Sequence, residues 1–198
     1  MKGKILPVHF YNRHPSEVAP DLLGKLLVRS DGRVLRIVET EAYAPDDPAS
    51  HTFRGETPRN RVMFGPPGRL YVYFSYGVHW CANLVCGPVG FGSAVLLRAG
   101  EPVSGIGLMQ AARGRSALKQ ISNGPGKLAQ AMGIDKAFNG MSVTGGDRVV
   151  VKDDGFVPDE ILACPRIGIS KAVDAPLRYV VPNSACLSKR PVIQRGVG

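Results

Sequence analysis

Residues 34–43, Val-Leu-Arg-Ile-Val-Glu-Thr-Glu-Ala-Tyr, alternate with period two over ten positions, and this restricts the fold more than any other feature of the chain. Such a stretch reads as a β-strand, and the turn signal Ser30-Asp31-Gly32 joins it to Lys25–Arg29 as a hairpin. If the strand stays regular, Leu35, Ile37, Glu39, Glu41 and Tyr43 share one face, so two carboxylates lie beside a ring. A second hairpin is expected from Leu70–Phe74 and His79–Val85. Tyr71, Tyr73 and Ser75 then face one way and Leu70, Val72 and Phe74 the other, with Gly77 supplying the positive φ of a tight turn. Tyr76 falls at the tip, where a ring cannot easily bury itself and usually has a partner. Further strands are expected at Ala94–Arg98, Val149–Lys152 and Leu177–Val181. Helices are expected over Pro15–Leu23, with Ser16 near its start, over Ile106–Leu118, and over the run to Met132 that Pro125 opens. The sum is a mostly antiparallel sheet with helices attached.

At 198 residues and 44% hydrophobic content the chain can bury a substantial core as one domain, and no repeat or linker divides it. Against 16 Asp+Glu stand 25 Lys+Arg, a formal net charge of +9, and much of the excess is arginine: Arg54, Arg59, Arg61, Arg69, Arg98, Arg113 and Arg115. That balance suits a polyanion bound through bidentate phosphate contacts, although a merely soluble basic protein would look the same by charge alone. The start of the chain lacks the apolar stretch of a signal peptide and no window approaches a membrane span. The expected location is therefore cytoplasmic (a bacterial nucleoid) or otherwise intracellular, with no membrane contact. Cys81, Cys86, Cys164 and Cys186 form no CxxC pair and have few His neighbours, so they read as reduced, mostly buried thiols, with no metal expected.

Several groups could carry chemistry. Glu39 and Glu41 have the spacing of a general acid/base pair, as glycosidic cleavage uses, but a solvated strand face fits the pattern equally and parity does not choose. The stretch Asn123-Gly124-Pro125-Gly126-Lys127 resembles a phosphate loop, yet Leu128 stands where nucleotide hydrolysis needs Ser or Thr for magnesium. A helix N-terminus with Lys127 on a backbone phosphate, or ordinary capping, remains. Residues 44–69 hold five prolines and four arginines (Arg54, Arg59, Arg61, Arg69), and a loop this long inside a compact domain is usually functional. His51 within it has no second ligand at metal spacing. Arg98 ends the apolar run Ala94-Val95-Leu96-Leu97, where a charge wants a carboxylate unless its stem simply reaches solvent. Core packing is the ordinary fate of Tyr71, Tyr73 and Phe74.

Taken together, Val38-Glu39-Thr40-Glu41-Ala42-Tyr43, Thr57-Pro58-Arg59-Asn60-Arg61, Leu70-Tyr71-Val72-Tyr73 with Tyr76-Gly77, Val95-Leu96-Leu97-Arg98-Ala99 and Gly124-Pro125-Gly126-Lys127-Leu128 resemble the alkyladenine (3-methyladenine, methylpurine) DNA glycosylase family, in consistent order over about residues 8–182. The resemblance implies a single α+β domain over 1–198. Its mostly antiparallel, curved sheet would have surrounding helices and a protruding hairpin that enters the DNA minor groove. It implies a monofunctional, cofactor-free enzyme, a monomer on duplex DNA, that excises alkylated or deaminated purines such as 3-methyladenine, 7-methylguanine, hypoxanthine and ethenoadenine. By the same likeness Glu41 is the general base and Arg98 helps to hold its water, while Glu39 has no such role. Tyr43, His51 and Tyr73 would enclose the flipped base, with Asn83 at the pocket floor, and Tyr76 would be the wedge that replaces it. Lys127, with Arg59 and Arg61, would meet backbone phosphates. Val78 and His79 depart from some relatives, which carry a larger apolar residue and a tyrosine there. A non-catalytic damage-binding or DNA-bending protein is the alternative, and a small-molecule transferase using the Asn123–Lys127 turn is a third reading.

Overall fold

A computed structural model describes residues 2–146 and 148–191. Its strands are β1 (Lys4–Ile5), β2 (Leu26–Arg29), β3 (Val34–Tyr43), β4 (Leu70–Ser75), β5 (His79–Cys86), β6 (Ser93–Ser104), β7 (Val149–Asp153), β8 (Leu162–Cys164) and β9 (Arg178–Val180). Its helices are α1 (Val8–Tyr11), α2 (Pro15–Asp21), α3 (Ile106–Arg113), α4 (Leu118–Ile121) and α5 (Pro125–Met132). The strands form one curved antiparallel sheet in the order β1-β7-β2-β3-β6-β5-β4, with β9 on β3 and β8 on β9, and the expected α+β class is what is found.

Local chemistry accounts for both expected hairpins. In the β2–β3 turn the Arg29 amide donates to the Arg33 carbonyl (2.8 Å), Asp31 accepts from the Arg33 amide (3.2 Å), and Gly32 takes φ +92°. In the β4–β5 turn both central residues are left-handed, Tyr76 at φ +50° and Gly77 at φ +65°, and the Val78 amide donates to the Ser75 carbonyl (3.0 Å). Two positive φ values make a mirror-image turn that matches strand twist, so the positive φ expected of Gly77 extends to a tyrosine. The start of α2 is as expected, and two other boundaries, at α3 and β6, differ from expectation. The cap of α2 is the His14 ring, which accepts from the Ser16 amide (3.4 Å), so Ser16 lies inside the first turn. Gly114 at φ +57° ends α3 at Arg113, and a separate α4 follows. β6 runs on from Arg98 to Ser104.

β3 is the spine of the sheet. Its first half pairs with β2 and its second half with β9, while β6 covers the other edge throughout. The regular alternation expected along it is broken. The β3–β6 register passes from Ile37↔Gly100 to Glu39↔Ala99, then to Thr40↔Leu97, so Val38 and Arg98 are the extra residues of successive bulges. Leu35 and Ile37 face the main core with Leu27, Leu84, Leu97 and Met132. Beyond the bulges Thr40 and Ala42 take over that face, and the Thr40 hydroxyl donates to the Ala19 carbonyl of α2 (2.9 Å). Glu39, Glu41 and Tyr43 therefore leave the face that Leu35 and Ile37 occupy, yet stay together as expected. A solvated face is excluded, because both carboxylates are fully buried. A second small core of Val38, Ala99, Cys164, Val180, Cys186 and Leu187 closes this side. All four cysteines are free and buried. Among the described residues no helix is long and apolar enough to cross a membrane.

Candidate active site

A cavity of about 640 Å³ opens between the β4–β5 hairpin, the end of β3, the 44–69 loop and residues 167–171, within the size range of small-molecule sites. Period-two alternation puts Tyr71, Tyr73 and Ser75 of β4 on its wall, together with His79, Cys81 and Asn83 of β5. The Tyr71 and Tyr73 rings are stacked, with centroids 5.5 Å apart and planes at 24°. His51 stands edge-on to Tyr73 (4.5 Å, 75°), and its Nδ1 lies 3.0 Å from the Tyr71 hydroxyl. Burial, aided by the nearby Arg59 charge, holds the His51 imidazolium below its usual range, so the ring is neutral at neutral pH. Burial pushes the Tyr71 phenol up to about 12 despite Arg59. Asn83 Nδ2 donates to the Tyr71 carbonyl (3.0 Å), which pins the amide at the wall.

Behind the opposite wall the two carboxylates divide their partners. Glu41 Oε1 accepts from the Ile167 amide (2.9 Å) and lies 3.2 Å from Arg98 Nη1, while Oε2 accepts from the Tyr43 hydroxyl (2.7 Å). All three partners line the cavity. Glu39 Oε1 accepts from Arg98 Nε (2.9 Å), Arg178 Nε (2.7 Å) and Ser188 Oγ (2.7 Å), and Oε2 from the Ser188 amide (2.7 Å). A carboxylate offers about four lone-pair sites. Arg178 and Ser188 lie away from the cavity, so Glu39 faces no ligand, whereas all the partners of Glu41 line the cavity and its Oε2, with one donor, keeps an acceptor position open. Burial alone would raise the Glu39 carboxyl, but Arg98, Arg178 and Ser188 outweigh it and hold the group below the usual carboxylate range. Burial would likewise lower the Arg98 guanidinium, and Glu41 with Glu39 raises it instead.

Eight of the residues singled out from sequence thus meet at this cavity: Glu41 behind its wall, and Arg98, Tyr43, His51, Tyr73, Asn83, Arg59 and Tyr76 along it. Arg59 donates to the Phe74 carbonyl (3.3 Å) and lies 6.0 Å over the Tyr73 ring. Tyr76 is 83% exposed at the rim, and its hydroxyl donates to the Gly168 carbonyl (3.2 Å). Arg61 and Lys127 are not brought to the cavity. Arg61 pairs with Glu56 at the surface (3.1 Å), and Lys127 donates to Asn123 in the first turn of α5 (3.0 Å). Sequence reasoning missed Arg166, whose guanidinium is bidentate to Asp47, donates to the Ala42 carbonyl (3.0 Å) and lies 4.7 Å over the Tyr43 ring. It also missed Arg178, Ser188 and the Ile167 amide. No local signal marks them, since each lies 119 or more residues from the carboxylate it serves.

No group of three metal-binding side chains occurs among the described residues. Comparison with known proteins gives the family. The family model described as methylpurine-DNA glycosylase matches residues 9–185. A protein of Burkholderia cenocepacia (strain HI2424) is 52% identical over 190 residues, which is 94% of this chain and 92% of that one. One of Methanoculleus marisnigri (strain ATCC 35101 / DSM 1498 / JR1) is 48% identical over 190 residues, 93% and 99%. One of Carboxydothermus hydrogenoformans (strain ATCC BAA-161 / DSM 6008 / Z-2901) is 45% identical over 190 residues, 94% and 100%. Each bears the name "Putative 3-methyladenine DNA glycosylase". With the family model spanning nearly the whole fold, the chain belongs to the methylpurine-DNA glycosylase family, hydrolases of N-glycosyl bonds in DNA.

Proposed function

We propose that this protein, as a monomer, binds duplex DNA, rotates an alkylated or deaminated purine into the cavity, and hydrolyses its N-glycosidic bond with a water activated by Glu41. The observation that carries this is the open acceptor position on a buried carboxylate whose partners, Arg98, Tyr43 and the Ile167 amide, form the cavity wall. A base needs a free lone pair held in place, and the Arg98 guanidinium 3.2 Å from Glu41 Oε1 fixes the carboxylate's orientation. Tyr43 and Tyr73 supply rings for stacking an electron-poor purine, His51 offers a neutral nitrogen to its edge, and Asn83 discriminates by its exocyclic group. Tyr76 fills the gap in the duplex and offsets a few kcal/mol of unstacking. Arg59, Arg61 and Lys127 meet phosphates. The substrates are 3-methyladenine, 7-methylguanine, hypoxanthine and ethenoadenine, and no lysine acts as a Schiff-base nucleophile, so the products are a free base and an uncut abasic strand.

The test is single-turnover base release from duplexes carrying one hypoxanthine or ethenoadenine, comparing wild type with Glu41→Gln at matched salt. Release by wild type, with a loss of about 10³-fold in a variant that still binds, supports the reading. Equal release by both removes Glu41 as the base. Tight binding without release, repeated on alkylated DNA, would favour the non-catalytic damage-binding alternative.

A further inference from the structure

The family model ends at residue 185, yet the chain beyond it reaches the carboxylate pair. Cys186 and Leu187 are buried in the small core that closes the carboxylate side of β3. They deliver Ser188 to Glu39, where its amide and its hydroxyl each donate to one carboxylate oxygen at 2.7 Å. The same hydroxyl accepts from Arg98 Nη2 at 3.3 Å, and the Lys189 carbonyl accepts from Arg178. Three edges of the Arg98 guanidinium are thereby assigned: Nε to Glu39, Nη2 to Ser188 and Nη1 towards Glu41.

We propose that Glu39 and Ser188 are positioning residues for the catalytic arginine, so that residues 186–189 complete the active site from outside the family-matched region. This rests on the reading of Glu41 and Arg98 given above. A guanidinium is a rigid planar fork, so fixing Nε and Nη2 also fixes where Nη1 points. Arg178 has a separate part. With one cation, Glu39 would compete with Glu41 for all of Arg98; the second guanidinium balances Glu39 and leaves Nη1 for Glu41. The local charges are Glu39, Glu41, Arg98 and Arg178, two of each sign. Asp47 and Arg166 form a further balanced pair against Tyr43. The partners of Glu41 all line the cavity, whereas of those of Glu39 only Arg98 does, so Glu39 and Ser188 reach the cavity through Arg98 alone.

The experiment is a double-mutant cycle read by single-turnover base release from a hypoxanthine duplex, with Ser188→Ala made in wild-type and in Arg98→Lys backgrounds. In the wild-type background the expected loss is about tenfold, the size of one hydrogen bond to a charged group. In the Arg98→Lys background, where the fork is gone, the same change costs less than about twofold, and Ser188→Thr keeps most of the wild-type rate. A loss of equal size in both backgrounds, or none in wild type, overturns the proposal, because a merely structural serine would act independently of Arg98. Should Ser188→Ala fail to fold, Ser188→Thr against Ser188→Cys decides: the weak sulfur donor should be slower, and equal rates overturn the inference. Glu41→Gln in parallel separates the two failures. If it matches wild type the catalytic reading falls, and if it is inactive while Ser188→Ala is unimpaired only the positioning role falls.

Discussion

The back of the cavity and its rim are built on opposite terms. At the back, Glu39 and Glu41 are fully buried and meet seven donors between them, drawn from β3, β6, β9 and two distant loops. At the rim, Tyr76 and Val78 project into solvent from a turn that holds a tyrosine in left-handed backbone, a conformation that costs about 1–2 kcal/mol. The back spends its interactions on fixing atoms before any substrate arrives, as electrostatic catalysis requires. The rim keeps a large ring extended and accepts strain for it, which is what the proposed insertion into a base stack would need.

The contrast can be broken most severely at Arg178. Arg178→Met strips one of two cations from Glu39 and should lower unfolding free energy by about 3–5 kcal/mol in urea titrations; a change under about 1 kcal/mol would mean the back is not a tightly coupled ion network. Acid sharpens the same point. Because the folded Glu39 carboxyl lies below its ordinary 4.5, its contribution is fully present above about pH 4.5 and is lost as pH falls through the lower folded value. Urea midpoints followed from pH 7 to pH 3 should therefore fall more steeply for wild type than for Glu39→Gln, and parallel curves would assign acid lability elsewhere. The rim should answer with the opposite signature. Tyr76→Gly relieves the left-handed tyrosine and should stabilise the fold by about 1 kcal/mol, yet weaken binding to lesion-bearing duplex by about tenfold or more. Loss of stability without loss of binding would put the ring in the fold, not in the DNA. The smallest effect is expected at Lys127. Lys127→Ala should leave base release intact and reduce the slope of log affinity against log salt by about one unit, and an unchanged slope would remove it from the phosphate contacts.

What sequence could show follows the same division. The β2–β3 and β4–β5 hairpins were legible because Asp31-Gly32 and Tyr76-Gly77 carry turn chemistry within a few residues of the strands they join. The inward set Tyr71, Tyr73 and Ser75 followed from pleat alone. Alternation along β3 failed at Ile37, since a bulge depends on how β6 pairs and leaves no mark in β3 itself. The gathering of Glu41, Arg98, Tyr43 and His51 was legible only through resemblance. Arg166, Arg178 and Ser188 were not legible at all, because burial of a distant cation against a carboxylate is a tertiary fact with no local pattern. The extent of β6 beyond Arg98 was missed for a related reason: Gly100 and Pro102 are poor strand formers held there by the β3 ladder.

The division of β3 between two neighbours also sets an order of events during synthesis. Its first half can pair with β2 as soon as the opening hairpin leaves the ribosome. Its second half waits for β9, and Glu39 and Glu41 wait for Ile167, Arg178 and Ser188, more than 120 residues later. Until then the two carboxylates have no fixed geometry, however well the hairpins have formed. A nascent or prematurely ended chain could therefore carry the β4–β5 hairpin and most of its arginines while the carboxylate pair behind the cavity is still unassembled.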